Sequence, residues 1–296
     1  MKFRDSEWMD EVLDSMATFV ANAANVGRLQ EECELAALRI VQHGVVEIDF
    51  AAFKAIMLAS LRSLVPKAWD HDHEEAWSWL WDNVQQLIKD ALAKAYAFEP
   101  PLAVFLGSLD SVATNQIHTG VYQRFFAMAP RGEDHFKQST SRLHFIADRV
   151  LALSLEIYRE PKRLTDDLSS LGLRHVGYGI PTDLFPPFVT CYVEAVKDIC
   201  SDQLVGDSFA WSLGLISRML MRTITEGSTM VMQAINVNSA PLLRRAVSLA
   251  PRGQRASWML HVQVGTQAIS PLACALERGY LDAARAILED LLAIRS

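Results

Sequence analysis

The residues best suited to chemistry gather at one corner of the chain. Gly172-Leu173-Arg174-His175-Val176-Gly177-Tyr178-Gly179-Ile180, followed by Pro181-Thr182-Asp183-Leu184-Phe185, reads as a helix that carries one histidine, ends at glycines and opens another apolar helix. A neutral imidazole nitrogen binds a metal when the other ring nitrogen is held by an acceptor. On a helix the carbonyl of Leu171, four residues back, is placed to be that acceptor. Phe136, Val150, Leu171, Ile180, Phe185 and Phe188 are candidates to line an apolar slot beside the imidazole. An isolated histidine at a helix end is usually a cap or a surface residue, and a lone tyrosine such as Tyr122 is more often a core residue with its hydroxyl at the edge. His71-Asp72-His73-Glu74-Glu75 has metal-ligand residue types, but at a helix start it reads first as a solvated cap.

Composition narrows what these residues can serve. The chain has 296 residues, half of them hydrophobic, with 14 Gly, 11 Pro and no low-complexity tract, which is a globular profile with room for two cores. The formal charge of −7, with no basic stripe, argues against a nucleic-acid partner. Cys33, Cys191, Cys200 and Cys274 form no CxxC pair and read as free thiols of a reducing, cytoplasmic compartment. The apolar run from Trp211 to Met221 is broken by Arg218 and is too short to span a bilayer.

The elements that must position the corner are helical throughout. Val12, Met16, Phe19, Val20 and Ala23 recur at helical spacing, and Leu35–Val41 and Phe50–Leu64 continue the pattern up to Pro66. Asp70 and Asp72 are candidate caps for a helix over Glu74–Ala95. Tyr96-Ala97-Phe98-Glu99-Pro100-Pro101 reads as a linker. Helices are then expected over Leu102–Asn115, Thr119–Met128, Ser141–Arg159, Thr165–His175, Asp183–Cys200 and Asp207–Ala234. The fold class expected is all-α.

The chain also repeats itself. Ala37-Leu38-Arg39-Ile40-Val41-Gln42-His43-Gly44-Val45 lies on Gly172–Ile180 without a gap at an offset of 135, which also superposes Phe50 on Phe185 and Phe53 on Phe188. Ile40 stands where His175 stands, and an aliphatic side chain cannot bind a metal. Nothing before Glu7 corresponds to Leu102–Phe136, so the first copy is expected to begin inside its own pattern. Trp8 would fill the pocket of that copy, and His43 would lie on the surface.

Leu102 to about Ala234 resembles a globin domain. Phe125-Phe126-Ala127-Met128-Ala129-Pro130 with Phe136 is similar to the globin segment whose phenylalanine stacks on haem, and Tyr122, fourteen residues before Phe136, sits where bacterial and sensor globins often carry a tyrosine over the bound gas. The resemblance implies His175 as the iron ligand and haem b as the cofactor. It places the distal gating position on Ile146 and the next pocket position on Val150. A shift of register would put His144 on the distal side instead. The Tyr122 hydroxyl is then the best placed donor to a bound gas. The resemblance divides the chain into residues 1–97, a partial globin-like unit without haem, and residues 102–236, a complete globin-like helical domain.

Residues 237–296 complete the division. Ile269-Ser270-Pro271-Leu272-Ala273-Cys274-Ala275-Leu276-Glu277-Arg278-Gly279-Tyr280-Leu281 and the residues after it resemble one ankyrin repeat, a helical hairpin, and Ala240–Val247 looks like a degenerate repeat before it. Two such units cannot bury their faces alone. They are expected to pack on the globin-like domain or to continue past the present end, and to contact a protein partner. The function implied is a module that reversibly binds dioxygen or another diatomic gas for sensing. A nitric-oxide dioxygenase and a haemless scaffold are the other classes that the residues allow.

Overall fold

The computed structural model describes residues 7–45, 47–137, 139–251 and 253–295, apart from the side chains of Glu7, Trp8, Met9 and Arg295. The pocket-filling role expected of Trp8 therefore lies outside the described residues. Among the described residues the fold is all-α except for one two-stranded hairpin. Among the described residues, no helix is long and apolar enough to cross a membrane. The chain forms two compact units, one made of residues 1–107 with 155–161 and the other of residues 108–154 with 162–296.

The first unit holds α1 (Glu7–Ala21), α2 (Val26–Gln42), α3 (Phe50–Leu64) and most of α4 (His71–Ser108). Short polar residues start these helices. Asn25 accepts a hydrogen bond from the Arg28 amide at 3.1 Å, and Asp49 accepts one from Ala52 at 2.9 Å. Asp70 takes the His73 amide at 3.0 Å and the His73 ring at 2.6 Å, so the acidic and histidine-rich start of α4 is a cap. Phe19, Leu29, Cys33, Ala37, Trp81, Val84 and Ile88 form the core. Phe53 stacks on Trp81 with ring centroids 4.7 Å apart, and Ile40 and Phe50 pack against the same cluster. His43 is exposed, 3.4 Å from Glu11.

The expected linker is not one. Helix α4 runs through Pro100 and Pro101 without a break. Ala95, Leu102 and Phe105 are all buried and lie on one helical face across the two prolines, and Glu99 accepts a hydrogen bond from Arg159 Nε at 3.0 Å. That burial outweighs the two missing amide donors.

The second unit begins with α5 (Ser111–Met128), which Asp110 caps by accepting the Ala113 amide at 2.7 Å. The break expected at residues 116–118 is instead at residues 109–110, because aspartate there offers the first-turn amides an acceptor. A 3₁₀ turn, Pro130–His135, leads to α6 (Thr140–Arg159) and α7 (Pro161–Tyr178). A second 3₁₀ turn, Thr182–Leu184, opens α8 (Phe185–Ile199), followed by α9 (Gln203–Gly227). Helix α5 packs along α8, and α8 packs along α9. Ile117, Val121 and Phe125 of α5 are buried, as are Cys191, Tyr192, Ala195 and Val196 of α8. The offset of 135 holds for whole elements. Shifted by it, α3 falls on the bounds of α8, and α2 falls on residues 161–177, the span of α7 less one residue.

The long helix expected over Asp207–Ala234 divides at Ser228. Thr229 caps a separate α10 (Met230–Asn236), which pairs with α11 (Ala240–Ser248). After α12 (Arg255–Leu260) come strands β1 (Val262–Val264) and β2 (Gln267–Ile269), antiparallel across Gly265. Val262 and Val264 are buried and Gln263 is exposed, the alternation of a short strand that the sequence reading left unassigned. Helices α13 (Pro271–Glu277) and α14 (Leu281–Arg295) then repeat the α10–α11 pair, with α13 against α10 and α14 against α11. Ala240–Val247 is thus the second helix of its pair, with α10 as the first. The pairs share one core with the rest of the unit, in which Leu173 and Val176 of α7 and Ile224 of α9 cluster with Val231, Ile235, Val264, Ala275 and Ile287.

Candidate functional site

His175 lies on the last full turn of α7. Its Nδ1 is 2.8 Å from the Leu171 carbonyl, the partner expected from helical spacing. With the proton on Nδ1, Nε2 keeps its lone pair, and among the described residues Nε2 has no hydrogen-bond partner. Burial lowers the pKa of the ring, and the bond to Leu171 opposes this only in part, so the imidazole is neutral near pH 7. The ring of Phe185 stands 5.7 Å from it, tilted by 56°.

The helix end behind His175 is fully occupied. Gly179 adopts φ +67°, which turns the chain back so that the Ile180 amide donates to His175 O at 3.1 Å and the Gly179 amide to Val176 O at 3.0 Å. Gly44 (φ +69°) ends α2 in the same way, with the Val45 amide on Ile40 O at 3.3 Å. Gly279 after α13 and Asn238 after α10 repeat the motif. The cap alone is therefore a common local device. Gly172 allows close approach of α7 and α9, since a Cβ there would stand 2.7 Å from Thr223 Cβ and Cγ2.

A separate aromatic group forms between α5, α8 and the loop around Phe136. Tyr122 is 5.5 Å from Phe136 and 6.3 Å from Phe188, and the rings of Phe136 and Phe188 stack at 5.9 Å. The Tyr122 hydroxyl donates to Leu143 O on α6 at 2.8 Å, and burial pushes its pKa up. Ile146, Val150 and Ile180 are half-buried, as are Phe136, Leu171, Phe185 and Phe188. Among the nominated residues only Tyr122 is buried outright. The structure thus joins Tyr122, Phe136 and Phe188 in one group and His175, Leu171 and Phe185 in another.

A single neutral imidazole with a locked Nδ1 and an unclaimed Nε2 suits iron ligation, and half-buried apolar side chains suit a flat apolar face, although here they stand in two groups. One feature counts the other way: the Tyr122 proton is already committed. The residue types present are compatible with a ligand and an apolar lining. Among the described residues, no three His, Cys, Asp or Glu side chains gather as a metal-holding cluster, and the cysteines are free thiols.

His144 carries no such geometry. Its ring lies 5.0 Å from that of His118, a buried histidine of α5 that the sequence reading did not single out. His118 Nε2 is 2.9 Å from Asp148 Oδ1 but is not aligned as a hydrogen bond, and burial lowers the pKa of the ring against the pull of Asp148. No local pattern signals His118, because its neighbours His144 and Asp148 lie on another helix. No known protein family, curated protein or solved structure matches the chain.

Proposed function

We propose that residues 102–236 form a globin-type module that holds haem b through His175 and reversibly binds dioxygen or another diatomic gas. The observation that carries this reading is the His175 imidazole, neutral, with Nδ1 fixed on Leu171 O and Nε2 unclaimed. An iron porphyrin in this place would supply the open coordination position at which a small gas binds reversibly. The chain supplies the rest. Leu171 O holds the imidazole in the ligating tautomer. Phe185, Phe188, Phe136, Val150, Ile146 and Ile180 offer apolar surface that would exclude water. For Tyr122 to donate to a bound gas, its hydroxyl must leave Leu143 O, which offsets about 1 kcal/mol of the gain. The helical pairs of residues 230–295 resemble ankyrin repeats and offer a surface for a protein partner, which favours sensing over carriage. The first unit, with Ile40 packed in its apolar cluster, would be a haemless counterpart.

Reconstitution of the full chain with haem tests the reading. The expected result is one equivalent of haem with a histidine-ligated ferrous spectrum, lost or strongly altered in His175→Ala. A His175→Ala chain whose Soret band and ligation state match the parent would overturn it. The scaffold reading is favoured by the packing of Phe125, Phe126, Phe136 and Phe188 on one another, and it predicts that the chain retains no haem.

A further inference from the structure

The carbonyls at the end of α7 are claimed from an unexpected quarter. Asn236, the last residue of α10, donates from Nδ2 to Val176 O at 3.1 Å. Arg278, which follows α13, donates from Nη1 to Gly177 O at 3.1 Å and to Asn236 Oδ1 at 2.9 Å. Its other amino nitrogen donates to the Tyr280 hydroxyl at 2.7 Å, and its guanidinium lies 4.5 Å from the centre of that ring. One arginine therefore spans the end of α7, the end of α10 and the turn between α13 and α14. Apolar contact reinforces the polar one. A Cβ at Gly177 would stand 3.2 Å from Cys274 Sγ, and Leu173 and Val176 belong to the core of the helical pairs.

We propose that Arg278 and Asn236 are positioning residues for His175, through which the stacking of the two helical pairs sets the orientation of the imidazole. The inference rests on the haem-module reading for its use, but not for its geometry. Val176 and Gly177 follow His175 directly, so a rotation or shift of their carbonyls turns the same helical turn. The Leu171 bond fixes the ring relative to α7, and Asn236 and Arg278 fix α7 relative to the repeats. Because the Asn236–Arg278 bond crosses the seam between α10 and α13, any change in how the pairs stack alters that bond. The stacking of the pairs and ligation at His175 are then coupled in both directions.

The test uses the full chain with Asn236→Asp, which keeps the acceptor for Arg278 and removes the donor to Val176 O, and with Arg278→Gln. Circular dichroism establishes that each variant is folded. In the haem-free chain at fixed pH 8, the His175 ring-proton shifts report its position against the Phe185 ring, and both variants are expected to move them. In the haem-loaded ferrous chain, the iron–histidine stretching frequency is expected to shift and gas affinity to change on the order of fivefold or more. Folded variants that leave both the ring-proton shifts and the stretching frequency at parental values overturn the proposal while haem binding stands. A parent chain that takes up no haem overturns the functional reading instead, and the ring-proton shifts then decide the positioning role alone.

Discussion

Two tyrosines of the second unit carry opposite consequences at the scale of single residues. The Tyr122 hydroxyl donates to Leu143 O, whereas the Tyr192 hydroxyl is fully buried and has no hydrogen-bond partner among the described residues. A satisfied hydroxyl stabilises modestly, and an unsatisfied buried one destabilises. Tyr122→Phe is therefore expected to cost about 1 kcal/mol and Tyr192→Phe to be neutral or stabilising by a similar amount, read from urea unfolding. Because the Tyr122 proton is committed, the proposed haem module predicts that Tyr122→Phe changes gas affinity by less than about tenfold, since a full 1.4 kcal/mol is needed for that factor. The His175–Leu171 bond was legible in the sequence because helical spacing alone puts Leu171 O beside His175. The Tyr122–Leu143 bond was not, because it joins two helices whose relative rotation no local pattern fixes. The Arg278 bridge was hidden for the same reason: its partner Gly177 is 101 residues away.

At the scale of elements, the prolines of α4 show where local rules lose to packing. The sequence places a linker at residues 96–101 since Pro100 and Pro101 each remove a helix donor, but Ala95, Leu102 and Phe105 bury one continuous face. The helix therefore carries a built-in cost. Pro101→Ala is expected to raise the stability of the first unit by up to about 2 kcal/mol, the interior-proline penalty less what proline saves in the unfolded chain, measured as a higher urea midpoint. An unchanged or lower midpoint would show that the helix is bent to suit the ring. Caps account for the other differences. Asp110 and Thr229 each look like one more polar residue inside an apolar pattern, yet each ends the preceding loop and opens a helix. The α3 bounds were legible because an apolar stripe from Phe50 runs on to a proline at Pro66, whereas α2 begins at Val26 behind the Asn25 cap, well before the expected Leu35.

At the scale of the whole molecule, the two units are not consecutive stretches of chain. Leu155–Pro161 belongs to the first unit although it lies inside the second in sequence, and Ile157 and Tyr158 within it are buried. A chain begun at Leu102 keeps those residues and loses most of their unit. Its thermal unfolding midpoint is expected to fall, and it should bind a hydrophobic dye that the full chain does not, at a cost of about 1.5–3 kcal/mol per large side chain uncovered. Acid should act on the second unit through its histidines. His118 and His175 both have folded pKa values below the ordinary one, so the unfolded chain binds more protons as the pH falls. Their stabilisation is complete above about pH 6.5 and is lost as the pH falls through the folded values. Urea midpoints are expected to drop between pH 7.5 and pH 5, with a shallower drop in His118→Gln.

The contact between Gly177 and Cys274 gives the coupled region an internal clock. The Cys274 thiol is partly buried, and that burial raises its pKa, so it reacts slowly while the α7 end stays seated on the repeats. Each unseating exposes the sulfur, and the rate at which it is captured counts how often the histidine helix and the repeats part company.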